Sequence, residues 1–127
     1  MVLIVIYFDL SYVLVLGVFI GISRPNLDLK RLYCQRNCTN GWFMHAASGT
    51  LFGNGKYVDD GAGGFEQGDR VGVLLDLGDG SLRFFRNGVQ HGSGYAAGSV
   101  TGPVVAAMQM YVANESVRLL PNAQQPE

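Results

Sequence analysis

The side chains able to serve as nucleophile, base or metal ligand are few: Cys34 and Cys38, His45 and His91, and the adjacent carboxylates Asp59 and Asp60. A structural zinc site needs four N or S ligands, and the C-x3-C pair has no second cysteine or histidine pair near it in sequence to complete one. Two cysteines are also too few for a disulfide scaffold, so they read as reduced thiols of a cytoplasmic protein. Neither histidine is tied by a motif to a nucleophile, and each reads as an ordinary polar residue rather than a general base. Neighbours in an extended chain point apart, which argues against a proton-sharing Asp59-Asp60 dyad. Gly55-Lys56 lacks the preceding spacing and the following hydroxyl residue of a phosphate loop, and neither G-x-S-x-G nor H-E-x-x-H occurs. The expectation is a protein without catalysis, with no metal and no cofactor.

The elements that position these residues follow from composition and pattern. With 127 residues, nine Lys+Arg against ten Asp+Glu and a net charge of -1, the chain makes one domain and excludes a globally basic nucleic-acid binder. At 48% hydrophobic and 15% charged residues it can bury a core, which excludes disorder. Eighteen glycines beside seven Phe, six Tyr and one Trp favour turns and strands over helices, so an all-β domain is expected.

From Val2 to Ile22 the chain is apolar apart from Asp9 and Ser11. The length suits a membrane anchor or a targeting segment. The abundance of Val, Ile, Tyr and Phe, and the cost of about 3 kcal/mol for a mid-bilayer Asp9, suit buried strands. Gly17-x-x-x-Gly21 matches a membrane helix-dimer motif and equally a strand crossed closely by other chain. Ser23 to Asn40 reads as a solvated loop, its basic residues Arg24, Lys30, Arg31 and Arg36 lacking the aromatic interleaving of a nucleic-acid surface. Beyond it, Gly41 to Ala46 alternates Trp42, Met44 and Ala46 against Phe43 and His45, as a strand does. A turn at Gly53-Asn54-Gly55-Lys56 and a glycine-rich loop from Asp59 to Gly64 follow. Val71, Val73, Leu75 and Leu77 share one side of a strand, Gly78-Asp79-Gly80 turns, Leu82 and Phe84 share a side of the next, and Asn87-Gly88 closes a tight hairpin. A glycine-rich loop, Gly92 to Gly102, leads to a strand over Val104–Val112 with Met108, Met110 and Val112 on one face. Asn114-Glu115 turns into a last strand near Val117–Leu120, and Pro121–Glu127 is a polar tail. Short strands punctuated by turns, with no long helical period, indicate an antiparallel sandwich.

The run Gly68-Asp69-Arg70-Val71-Gly72-Val73-Leu74-Leu75-Asp76-Leu77-Gly78-Asp79-Gly80-Ser81-Leu82-Arg83-Phe84-Phe85-Arg86-Asn87-Gly88 resembles the SPRY domain pattern G-D-x-[IV]-G-x-x-[LIV]-D-x-x-x-G-x-[LIV]-x-F-x-x-[ND]-G at every fixed position. Gly17-Val18 or Gly21-Ile22, Gly41-Trp42, Gly55-Lys56-Tyr57, and Gly102-Pro103 with Val117 extend the resemblance over roughly residues 13 to 120. Ala106 departs from it, standing where the family usually has proline, and Tyr7-Phe8-Asp9-Leu10 matches the family's early aromatic-acidic signature only weakly. The chain therefore resembles a minimal or N-terminally truncated member: residues 1–12 an apolar strand or anchor, 13–120 the domain and 121–127 the tail.

The resemblance implies a bent antiparallel β-sandwich of concanavalin or lectin-like architecture, and a non-catalytic module that binds a peptide or protein loop through the loops at one end, as adaptor or substrate-recognition domain. The physical reading of the motif is scaffold: Asp69 and Asp76 accept from turn amides, while Gly72, Gly80 and Gly88 permit bends or close approach. Partner contacts fall instead to loop residues bearing aromatic, cationic or amide groups: Arg24, Asn26, Asn54, Lys56, Tyr57 and Tyr95. Two alternatives stand beside this. One is a membrane-tethered or secretory sandwich anchored by residues 2–22, in which the sequons at Asn37 and Asn114 would be usable. The other is a carbohydrate-binding module, although strand alternation places its natural sugar platform, Trp42, in the core.

Overall fold

The apolar rows Val71-Val73-Leu75 and Leu82-Phe84, joined by a tight turn, build the two strands at the middle of one sheet. A computed structural model describes residues 3–10, 18–25, 41–53, 56–59, 62–110 and 118–120, with side chains left aside at 56–57, 109–110 and 118–120. In chain order the strands are β1 (Leu3–Asp9), β2 (Val18–Ser23), β3 (Gly41–His45), β4 (Leu51–Gly53), β5 (Lys56–Val58), β6 (Arg70–Asp76), β7 (Ser81–Arg86), β8 (Val89–Gln90), β9 (Val105–Met110) and β10 (Arg118–Leu120). They form two antiparallel five-stranded sheets, ordered β10-β1-β6-β7-β8 and β5-β4-β3-β2-β9, packed face to face as a sandwich.

The N-terminal apolar stretch supplies one interior strand to each sheet: β1 lies between β6 and β10, and β2 between β3 and β9. No helix among the described residues is long and apolar enough to cross a membrane. Asp9 falls at the end of β1, in register with Arg70 on one side and Arg118 on the other, so two basic positions flank the one acidic residue of the stretch. Phe8, Val18, Ile20, Ile22, Trp42, Met44, Val71, Val73, Leu75, Leu82 and Phe84 interlock in the core between the sheets. β2 shows no polar face, because its outward-facing Phe19 is covered too. With Phe43, Phe52 and Ala107 it makes a second apolar cluster on the outside of the second sheet, and Phe19 stacks on His45 at 4.5 Å.

The hairpins follow the pattern read from the sequence, with one correction. Asn87 (φ 51°) and Gly88 (φ 89°) form the tight turn between β7 and β8. Leu77 does not continue the apolar row of Val71, Val73 and Leu75. β6 ends at Asp76, whose Oδ1 accepts from the amides of Gly78 (2.8 Å) and Asp79 (3.4 Å), and this turns Leu77 out into solvent. The turn at 54–55 lies outside the described residues, but Gly53 pairs with Lys56 across it. Met110 lies in β9 with its side chain undescribed; Val112, the Asn114-Glu115 turn, the cysteines and the tail lie outside the described residues.

Asp69 ties the start of β6 to the β7–β8 turn. Its carboxylate accepts from the Glu66 amide (2.8 Å) and the Asn87 side-chain amide (2.9 Å) and pairs with Arg86 Nε at 2.7 Å. Partial burial raises its pKa, but these partners outweigh burial and hold the carboxyl below its usual value. A depressed folded-state pKa contributes stability that is present above the unfolded pKa of about 3.9 and is lost as pH falls through the folded value. Asp69→Asn is therefore expected to melt below the parent at pH 6, with the gap narrowing as pH drops below about 4. Thermal unfolding across that range checks this, and a gap independent of pH would contradict the assignment.

Candidate functional site

Pairing register decides which loops meet. Ser23 pairs with Gly41 and with Val105, and Phe43 pairs with Phe52. The chain after β2, the chain before β9 and the β4–β5 hairpin therefore emerge at one end of the second sheet. Arg24 stands at this end. Its guanidinium lies 4.9 Å over the Trp42 ring, and Nη1 donates to the carbonyls of Thr101 and Pro103 while Nη2 donates to Thr101 Oγ1 at 3.2 Å. Among the described residues no carboxylate pairs with it.

The same end is closed by the loop between β8 and β9. Trp42 Nε1 donates to the carbonyl of Ser99 (3.0 Å), and the Val100 amide donates to Gly80 (2.9 Å), which draws the β6–β7 turn of the first sheet into the group. That turn carries Asp79, whose carboxyl is held below its usual value by the side chain and amide of Ser81. A fixed cation, an anion and the exposed residues 101–103 thus share one end of the sandwich.

Of the six loop residues named from the sequence, Arg24 stands at this end. Lys56 and Tyr57 lie on β5, the edge strand separated from β2 by β4 and β3; their side chains, and Asn26 and Asn54, are outside the described residues. Tyr95 is a correction: it is 2% exposed and presents nothing to a partner. Tyr95 and Leu82 exchange backbone hydrogen bonds of 2.8 and 3.0 Å, which fold the ring inward. Its hydroxyl hydrogen is shared between the carbonyls of Phe43 (3.0 Å) and Phe52 (2.7 Å), clamping the loop to β3 and β4. Thr101 and Pro103 have no sequence signal of their own; only the glycine-rich stretch ending at Gly102 marks their loop.

Among the described residues no three His, Cys, Asp or Glu side chains gather to hold a metal. His91 donates from Nε2 to the Gly63 carbonyl (2.7 Å) against the ring of Phe65, and His45 bonds Ser48 Oγ through Nδ1 (2.9 Å). Trp42 is 0% exposed, so it offers no face to a sugar ring.

Two antiparallel five-stranded sheets packed face to face, with loops gathered at one end, define an all-β sandwich domain. The family model for the SPRY domain matches residues 13–123, and the chain belongs to that family, whose members are generally protein-protein interaction modules. The fold is that of solved SPRY domains. A crystal structure of the SPRY domain of human HERC1 superposes with a TM-score of 0.75 at 21% identity, covering 97% of this chain and 77% of that one. A crystal structure of another human SPRY domain gives 0.71 at 20%, covering 95% and 78%. No curated protein matches the chain.

Proposed function

We propose that this SPRY domain is a non-catalytic, cytoplasmic adaptor or substrate-recognition module that binds a peptide or protein loop with the end carrying Arg24 and the β4–β5 hairpin. The observation that carries this reading is the register: it brings Arg24, Lys56 and the 101–103 loop, distant in sequence, to one end of one sheet. Arg24 arrives there already oriented by Trp42 and Thr101, so little side-chain freedom remains to be lost when a partner engages it. Asn26, Asn54, Lys56 and Tyr57 complete the proposed contact set.

A phage-displayed library of random dodecapeptides panned against the chain tests this. Peptides that engage the loop end are expected to weaken about fivefold or more with Lys56→Ala or Tyr57→Ala, the scale of a moderate interface hot spot. If every enriched peptide binds the Arg24, Asn26, Asn54, Lys56 and Tyr57 alanine variants as tightly as the parent, the loop end is not the binding site.

A further inference from the structure

The four sheet edges are unequal. Among the described residues β5 and β10 have three residues each and β8 has two, short edges of the kind that resist pairing with other chains. β9 has six, Val105–Met110, and between Pro103 and Met110 there is no charged residue to blunt it. The Ala46 amide donates to the Val18 carbonyl (2.9 Å), so Val18, Ile20 and Ile22 direct their backbone groups toward β3. Phe19, Gly21 and Ser23 then bond to Gln109, Ala107 and Val105, and the alternation turns the amide and carbonyl of Ala106 and Met108 outward. Among the described residues no strand pairs with that outer edge.

The side chains agree with the backbone. Ala106 and Met108 lie in register with Ile22 and Ile20, which are buried, yet both are exposed, Met108 at 38%: the first sheet does not cover the inner face of β9. An open groove of about 340 Å³ runs here, lined by Ser23, Arg24, Pro25 and Val105 to Met108. Among the described residues its one charge is Arg24, at the Val105 end. Two of the five guanidinium N–H groups, on Nε and Nη2, are not used by Thr101 and Pro103.

We propose that β9 is a second docking site, which takes an extended peptide of another protein as an added antiparallel strand, with an acidic residue of that peptide on Arg24. Backbone pairing to Ala106 and Met108 supplies affinity, and the groove supplies selectivity. The geometry gives the order. In an antiparallel strand the residues over Met108 and Ala106 are two apart, and the next residue on that face reaches the Arg24 end two positions later. The motif is apolar-x-apolar-x-acidic, read from the amino end. A second copy of this chain fits worse, since β9 paired with another β9 offers no carboxylate to Arg24.

The same dodecapeptide library separates this site from the loop end. Ala106→Pro removes only the outward donor, a change tolerated at an edge, and the variant is expected to melt within a few degrees of the parent. Peptides carrying the motif are expected to bind Ala106→Pro and the exposed-site variant Met108→Lys at least tenfold more weakly, and to be indifferent to Lys56→Ala. Panning against Arg24→Gln is expected to return the two apolar positions without the acidic one. The proposal is overturned if no such motif is enriched, if motif peptides bind the Ala106→Pro and Met108→Lys variants undiminished, or if the chain alone forms a dimer that Ala106→Pro dissolves.

Discussion

Trp42→Ala is expected to cost about 3–5 kcal/mol, the range for deleting a large buried aromatic side chain. For a domain whose stability is on the order of 5–15 kcal/mol this is a large part of the whole. The reason is the number of elements that meet on one ring. Trp42 packs in the core between the sheets, holds the Ser99 carbonyl through Nε1 and lies under the Arg24 guanidinium. Its loss opens a cavity, leaves a carbonyl without its donor and frees the cation of the candidate site. Trp42→Phe keeps most of the ring and sacrifices the N–H, so it is expected to lie between parent and Trp42→Ala. Urea unfolding of the three proteins measures this. Equal midpoints for Trp42→Phe and the parent would mean that the Ser99 bond carries no weight.

Gly21→Ala is expected to be worse, although it adds a single methyl group. Gly21 lies in the middle of β2, paired with Phe43 on one side and Ala107 on the other. A Cβ there would overlap the carbonyl oxygen of Trp42 and sit 2.9 Å from Phe43 Cα. Ordinary overpacking costs about 1–3 kcal/mol because side chains yield, but here the obstacle is the backbone of an interior strand. The two strands must separate, which breaks the ladder beneath both apolar clusters. We expect Gly21→Ala to give little soluble folded protein. A variant with the circular dichroism and melting temperature of the parent would show that β2 and β3 are less closely apposed than described.

What could be read from the sequence is what local periodicity encodes. The segment from Gly68 to Gly88 carries apolar residues two apart at Val71, Val73, Leu75, Leu82 and Phe84 and ends in Asn-Gly, so its strands, turns and core-facing residues are legible apart from Leu77. There the alternation ran one residue past the point where Asp76 captures the turn amides. Trp42 was placed in the core for the same reason. The apolar stretch was ambiguous because β2 is covered on both faces, the outer one by aromatic residues from β3 and β4 that no local pattern announces. Tyr95 reads as exposed from the sequence because it sits among glycines in an irregular loop, where a lone aromatic has no periodic neighbours. Its burial depends on Leu82 and on two carbonyls in the opposite sheet. The clustering of Arg24 with Thr101 and the β4–β5 hairpin was likewise invisible before the register was known, since each arrives from a different part of the chain.

Of the ten strands, β1 leaves the ribosome before the others and is among the last able to pair. Its neighbours in the sheet, Arg70–Asp76 and Arg118–Leu120, emerge only after most of the chain has been made. β2 faces the same delay on one side, waiting for Val105–Met110. Sheets closed by such distant segments fold on the order of milliseconds to seconds, and translation at roughly 5–20 residues per second is slower still. The most apolar part of the nascent chain is therefore left unprotected for seconds during synthesis.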